Sequence, residues 1–504
     1  MTTRPMMVQR RYHPLKLAPM AITSTICLIF LWMIILLSTN DLVKDLSQVS
    51  ASMKAFAKSP ELLLAVGFPG SLVATILTSF LLVRAPHIFF FLWLLMFAVS
   101  EAAIPVLQQV SLITRYPMML SLILSGIYYL FKPGVRLNMT QRLGIAAIVW
   151  IAAELLINPF DTNAMLMLPM QMTIFIGIMI GSANQLEKPG LTRKVVMGIV
   201  IVGFLTVFIN LLAIGLTSQP FLAGRFRSWY SLPTNFANNF VICITPLLWF
   251  AIDSKKPFLK LIALAFFLAG AALLLLSGTR NALLILALSL FQMIFFWKRR
   301  YFFILVAFTA IAAAAVLLLN FNLTDIAGNR IAHISDKETR YFVWERAIKY
   351  IEEKPMLGYG LSVDLTSLDK KLPVWEQFNA HNAFLGLWLR IGLIGLLLYV
   401  SIYLISLVRA FFTLIRRRHS EEETSILVLA SSMLTNLFVS GLFEENLTSR
   451  ASIHQAVWAL SIALIVVELK RLHDLSRQKV MQRRARLLHG EPLDVSLKTK
   501  LEGA

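Results

Sequence analysis

The chain has 504 residues, of which 58% are hydrophobic and only 15% charged. A soluble protein of this size cannot hide that much apolar surface, and its solid apolar runs of about 20 residues point to membrane helices and exclude the alternating pattern of a transmembrane barrel. The formal net charge of +20 would suit nucleic acid, but the basic residues sit between apolar runs and at both ends, where the positive-inside rule puts them.

The expected fold is therefore all-α: a polytopic membrane helix bundle with about 12–14 transmembrane helices and a periplasmic loop domain of short amphipathic helices. Residues 1–16 form a basic, cytoplasmic N-terminus, and the apolar run after Lys16 is long enough to stay as an anchor. Spans are expected at roughly 18–38, 62–83, 88–107, 113–131, 143–158, 163–183, 194–216, 236–252, 258–277, 281–297 and 301–320. Together, residues 17–320 make a transmembrane bundle with short loops, and a long periplasmic loop, 321–381, follows. The C-terminal helices occupy 382–468, with spans near 383–408, 424–442 and 451–468, ahead of a basic cytoplasmic tail, 469–504. With both ends inside, the strongly basic loops all fall on the cytoplasmic side. Arg225, Arg280, Arg340, His381 and Glu444 then face outward. Cys27 and Cys243 lie inside apolar runs and read as small core residues.

Arginines on the outer side run against the charge bias. Arg225 and Arg227 lie in "AGRFRSWYSLPTNFANN" beside Trp229 and Tyr230. Guanidinium forks match phosphate oxygens bidentately, yet an interfacial loop meeting lipid headgroups would look the same. Arg280 stands in the turn "SGTRN", where Gly278 serves the turn and the arginine does not, so a phosphate contact and a lipid contact both remain open. From Lys337 to Glu353 the apolar residues Phe342, Val343, Ala347, Ile348 and Ile351 recur at helical spacing, with Arg340 in the first turn and Tyr341 and Trp344 as packing residues. Pro355, Gly358 and Gly360 end that helix in a tight turn. His381 and Asn382 open the next span, whose Gly386, Gly392 and Gly395 would let neighbouring helices approach. A neutral imidazole at a helix start suits a general base, although a lone histidine at a membrane edge is more often structural. Glu101, Arg115, Glu154 and Arg390 are costly in hydrocarbon and should pair, Glu101 with Arg115 across adjacent spans. The sequence has no HExxH, no Cys/His cluster of metal-ligand spacing and no P-loop. No metal or cofactor is expected, and any chemistry must draw on an activated donor.

In order and spacing, the outer-side motifs resemble the O-antigen ligase and polysaccharide polymerase superfamily over roughly residues 200–400. The motifs are Arg225 with Pro233 and Asn235; Ser277 with Arg280; Arg340, Trp344, Pro355, Gly358 and Gly360; and His381 with Asn382. The resemblance implies a metal-independent glycosyltransferase of the GT-C class in the bacterial inner membrane, with its active site facing the periplasm. The implied donor is a glycan on undecaprenyl pyrophosphate. The acceptor is lipid A-core in a ligase, or a lipid-linked sugar in a polymerase of surface or exopolysaccharide. Carried over by motif, His381 is the base and Arg225, Arg280 and Arg340 hold the pyrophosphate; Arg227, Asn382, Glu444 and Trp344 are supporting candidates. The chain departs from the glycine usual in the family after the first loop arginine, with Ser228 near that place. Two other readings start from the residues alone. One is a transporter or flippase for a lipid-linked saccharide. The other is an envelope scaffold whose basic tail after Lys470 meets membrane lipids or a partner.

Overall fold

The computed structural model describes residues 68–100, 105–158, 162–217, 219–222, 224–230, 232–297, 340–368, 380–416, 419–445 and 452–488. The spans expected at 18–38 and 301–320, the start of the long loop, Cys27 and Glu101 lie outside them.

Helices dominate. They are α1 (Phe68–Arg84), α2 (Pro86–Ser100), α3 (Pro105–Phe131), α4 (Met139–Ile157) and α5 (Thr162–Met172), which runs through a π-helical stretch (Thr173–Ser182) into α6 (Ala183–Leu186). They continue with α7 (Leu191–Leu216), α8 (Pro233–Asp253), α9 (Pro257–Ser277), α10 (Arg280–Phe296), α11 (Arg340–Glu353), the short α12 (Leu365–Leu368), α13 (Ala383–Ile415), α14 (Glu421–Gly441) and α15 (Ile453–Leu488). Between α7 and α8 sits a small hairpin, β1 (Phe221–Leu222) against β2 (Arg225–Phe226), with Leu222 opposite Arg225. Among the described residues, eight helices are long and apolar enough to cross a membrane, and three shorter apolar ones accompany them. The protein is an all-α polytopic membrane protein.

Local signals set the helix starts. Asn138 and Ser420 close capping boxes with Gln141 and Glu423, satisfying amides that would otherwise be orphaned. Pro233 and Pro257 occupy first-turn positions, where the missing N–H costs nothing. Packing then sorts the helices. α8, α14 and α15 are mostly buried inside the bundle, whereas α9 turns Leu261 and Leu268 outward, as a lipid-facing helix would. Small residues bring α3 against the π-helical stretch: a methyl group on Gly126 would collide with the Ile176 carbonyl, and one on Gly181 with Gly126. Tyr399 and Trp458 stack, with Phe175 edge-on to both, where the π-helical stretch, α13 and α15 meet. Asn436 of α14 donates to Ser289 of α10 at 2.6 Å and to Thr245 of α8 at 3.3 Å, a polar tie inside the apolar core.

α13 is broken at Gly392, whose φ of 67° lies in the left-handed region. A kink frees backbone groups, which must be satisfied internally in a membrane. The turn after α11 supplies the partners. Leu393 N donates to the Pro355 carbonyl, and Tyr359 and Gly360 N donate to Leu389 and Arg390, each at 2.9 Å. Trp150 Nε1 reaches the Ile391 carbonyl at 2.9 Å. This corrects the expected role of the glycines. Gly392 admits the Met356–Leu357 backbone, Gly386 admits the Glu445 side chain, and Gly395 faces Ile391 of its own helix. None of the three contacts is helix against helix.

The amphipathic helix expected over 337–353 is α11, which packs on α13 through Val343, Ala347 and Ile351. Ile348, assigned to its apolar face, is 45% exposed. Its side chain stands one position round the helix from buried Ala347, outside the narrow stripe that α13 covers. Of the intramembrane charges, Glu154 accepts from Asn158 of its own helix, Arg115 lies over the Tyr116 ring, and Arg390 pairs with Glu445.

Candidate functional site

Chain alternation puts two kinds of loop at opposite ends of the bundle. One end carries ion pairs between basic connections: Arg193–Asp253 at 2.6 Å, Lys255–Glu422 at 2.9 Å, Lys470–Glu187 at 2.6 Å and Lys479–Glu423 at 2.8 Å. The other end carries the β1–β2 hairpin, the Ser277–Arg280 turn, the start of α13 and the segment after α14.

At this second end the Arg225 guanidinium spans the turn between α9 and α10. Its Nε donates to the Ser277 carbonyl at 2.7 Å and its Nη2 to Thr279 Oγ1 at 3.1 Å. Gly278 ends α9 with a left-handed φ of 60°, Thr279 caps α10, and Arg280 is the first residue of that helix, exposed beyond the turn that Arg225 holds. Arg227 instead folds back on its own loop, its Nε on the Gln219 carbonyl at 3.2 Å. Ser228 takes a left-handed φ of 56°, a conformation that a glycine adopts without strain. Trp229 Nε1 donates to the Ile209 carbonyl at 3.3 Å, and Tyr230 packs on Phe236, so the loop's aromatics are packing residues.

A second group forms at the start of α13. Asn382 is its cap, accepting from Phe384 and Leu385 N at 2.9 and 3.0 Å and donating from Nδ2 to the Leu442 carbonyl at 3.1 Å. His381 Nδ1 lies 3.7 Å from Glu444 Oε2. That is too long for a hydrogen bond, but it is where a carboxylate would steady an imidazolium. The His381 side chain keeps 31% of its surface exposed, enough to meet a substrate. Its φ of 46° is left-handed. For a non-glycine residue such a backbone costs on the order of 1–3 kcal/mol, and it persists only where the surroundings over-determine it.

The link between the two groups was not legible in the sequence. Asn281, next to Arg280, donates to Asn238 Oδ1 of α8 at 3.4 Å. His454, near the start of α15, hydrogen-bonds the Asn238 backbone and lies in the field of Glu444. Its ring is buried, and Nε2 has no hydrogen-bond partner among the described residues. Polar residues thus step from the Arg280 turn through Asn281 and Asn238 to His454, which lies in the field of Glu444, the carboxylate beside His381. The one local hint was "SIHQ", a second histidine at the first turn of a span, facing the same end as His381.

The third arginine of the motif set, Arg340, is the first residue of α11, at the same end; its side chain lies outside the described residues. Trp344 is half-buried, with the Tyr341 ring edge-on at 5.8 Å and its own Nε1 buried without a partner among the described residues. Nearby, Tyr359 donates to Glu353 at 2.9 Å; burial first and this carboxylate second push its phenol up to about 12.

Comparison with known proteins meets this geometry in one place. A family model described as O-antigen ligase matches residues 264–400. The matched stretch runs from α9 into α13, so it contains Ser277, Arg280, Arg340, His381 and Asn382, while Arg225 and Glu444 come from outside it. The resemblance read from the motifs is borne out over this stretch. The chain is also similar to a Rickettsia conorii protein described as "Putative polysaccharide ligase", 23% identical over 153 residues. That match covers 29% of this chain and spans about a third (35%) of the relative's length. Beyond the matched stretch, the candidate site draws on the β1–β2 hairpin, α8, the end of α14 and the start of α15.

Proposed function

We propose that this protein is a metal-independent membrane glycosyltransferase that transfers or polymerises glycan from an undecaprenyl-pyrophosphate-linked donor on the periplasmic side of the bacterial inner membrane. The observation that carries this reading is a juxtaposition of two residues that both fall in the stretch similar to O-antigen ligases. Exposed Arg280 and partly exposed His381, the latter beside a carboxylate, stand at the same end of the bundle, with the polar residues Asn281, Asn238 and His454 between them. The ion-paired basic loops at the other end suit the cytoplasmic side by charge bias, which supports a periplasmic site.

In this reading the acceptor hydroxyl oxygen attacks the anomeric carbon. The bond to the pyrophosphate oxygen breaks, and undecaprenyl pyrophosphate leaves with the electron pair. The hydroxyl proton passes to His381, and Glu444 steadies the imidazolium that forms. A positioned base contributes about 10²–10⁴ in rate. Arg280 and Arg340 meet the leaving oxygens, where each charge-assisted hydrogen bond is worth roughly 1.5–3 kcal/mol. Arg225 adds positive charge and fixes the turn from which Arg280 projects. Attack opposite the leaving group gives inversion. The acceptor is lipid A-core or a second lipid-linked glycan.

The test is transfer by purified full-length protein given lipid-linked donor and acceptor. Wild-type protein forms a new glycosidic bond. His381→Ala loses about 10²-fold or more in kcat, and Arg280→Lys falls with it. Full activity in both variants, or donor movement across the bilayer without bond formation, overturns the reading; the second result is the flippase outcome.

A further inference from the structure

The strained backbone of His381 is held from both sides by one short segment. On its C-terminal side, Asn382 Nδ2 donates to the Leu442 carbonyl at 3.1 Å. On its N-terminal side, the Ala380 N–H donates to Glu445 Oε2 at 3.1 Å. The other oxygen of that carboxylate, Oε1, meets Arg390 Nη2 at 2.6 Å, with both side chains more than nine-tenths buried. Arg390 Nε in turn donates to the Val363 carbonyl at 2.8 Å, so the pair also grips the loop after α11. The fit is close: a methyl group at Gly386 would come within 2.7 Å of Glu445 Oε1. The two neighbouring acids after α14 thus act on different groups. Glu444 faces the His381 imidazole, and Glu445 takes the peptide N–H just before it.

A buried ion pair is weak support for stability, because an apolar pair of similar volume often serves as well. Its persistence here needs another reason, and the Ala380 contact supplies one. We propose that the Arg390–Glu445 pair is a positioning device for His381: Arg390 fixes the Glu445 carboxylate, and the carboxylate anchors the backbone of Ala380, the residue from which His381 turns toward Glu444 and the acceptor. Neither residue touches the reacting groups. The inference rests on His381 being the base, as proposed above.

The experiment separates position from stability. Full-length protein in lipid nanodiscs is compared as wild type, Glu445→Gln, Arg390→Met/Glu445→Gln and Arg390→Met/Glu445→Met, with Tm, kcat and donor KM measured for each. Glu445→Gln strands a buried guanidinium, so Tm and kcat both fall. Arg390→Met/Glu445→Gln removes that charge and keeps a side-chain carbonyl for the Ala380 N–H, so Tm and kcat both recover. Arg390→Met/Glu445→Met recovers Tm but not the acceptor. Its kcat stays down by about 10²-fold, the scale of a 1 Å misplacement, while donor KM holds because the arginines lie on other elements. Replacing Ala380 by lactic acid, which swaps the N–H for an ester oxygen and leaves the ion pair intact, gives the same kcat loss and keeps the test open should the double variant fold poorly. Wild-type kcat in either the Met/Met or the ester protein overturns the proposal, and a still inactive His381→Ala then leaves the glycosyltransferase reading standing. Wild-type protein that forms no glycosidic bond removes that reading, and the inference with it.

Discussion

The two ends of the bundle use the same residue types in opposite ways. At the basic end, lysines and arginines meet carboxylates across loops with much of their surface in solvent; Lys255 and Glu422 are 81% and 77% exposed. Such pairs are worth about 0–1 kcal/mol and weaken with salt. They record which way the helices run and demand little of their geometry. At the other end the cations occupy particular positions, with Arg225 on a carbonyl and a hydroxyl, Arg390 on a buried carboxylate, and Arg280 held out beyond its turn. Charge at the basic end sets topology, and charge at the site end sets distances. Substitutions that keep the charge and change the shape should therefore be silent at one end and costly at the other.

The largest effect that would sharpen this contrast is on Arg225. A lysine keeps the charge but cannot span Ser277 and Thr279 as a fork. Losing one charge-assisted hydrogen bond, roughly 1.5–3 kcal/mol, should lower kcat/KM of Arg225→Lys by about 10–10²-fold. An unchanged transfer rate would break the comparison, since this arginine would then be no more demanding than those at the basic end. Next is the kink. Gly392→Ala places a methyl group against the Met356 carbonyl at a left-handed φ. A loss of about 1–3 kcal/mol is expected, read as a lower Tm in detergent, with the turn at Pro355–Gly360 loosening from α13 in hydrogen exchange. The smallest effect belongs to the basic end. Burial, with Lys479 and Arg471 nearby, lowers the pKa of His419 below its ordinary value of 6.5, against the pull of Glu423. The folded state therefore prefers the neutral ring, while the unfolded chain takes up the proton first. Stability is full above that ordinary value and declines as the pH falls through it toward the folded value. Tm should drop slightly on acidification, and His419→Gln should flatten that drop.

Much of the fold could be read in advance because membrane helices are written locally. An apolar run of the right length, a Pro at its first turn and a basic loop after it are contiguous in the chain, and a helix stands at each expected span within the described residues. The Arg225, Arg280 and His381–Asn382 motifs were legible for the same reason. Each stands beside a span end on the side that the charge bias empties. Glu445, His454 and Asn238 gave no such signal. A carboxylate in "FEEN" or a histidine in "SIHQ" looks incidental until α13, α14 and α15 are packed side by side. The glycines of α13 misled in the same way: their spacing is that of a helix-packing stripe, while their actual neighbours are a loop and a side chain from distant parts of the chain.

By itself, then, the sequence determined the membrane class, the approximate placing of the helices and the residue types available for anion and proton chemistry. All of these follow from hydrophobicity, length and charge within a few tens of residues. Only the tertiary structure decided which carboxylate faces His381, which one holds its peptide, and how Arg225 reaches the turn of Arg280. Those choices depend on contacts a few ångströms long between segments far apart in sequence, and nothing short of the packed bundle specifies them.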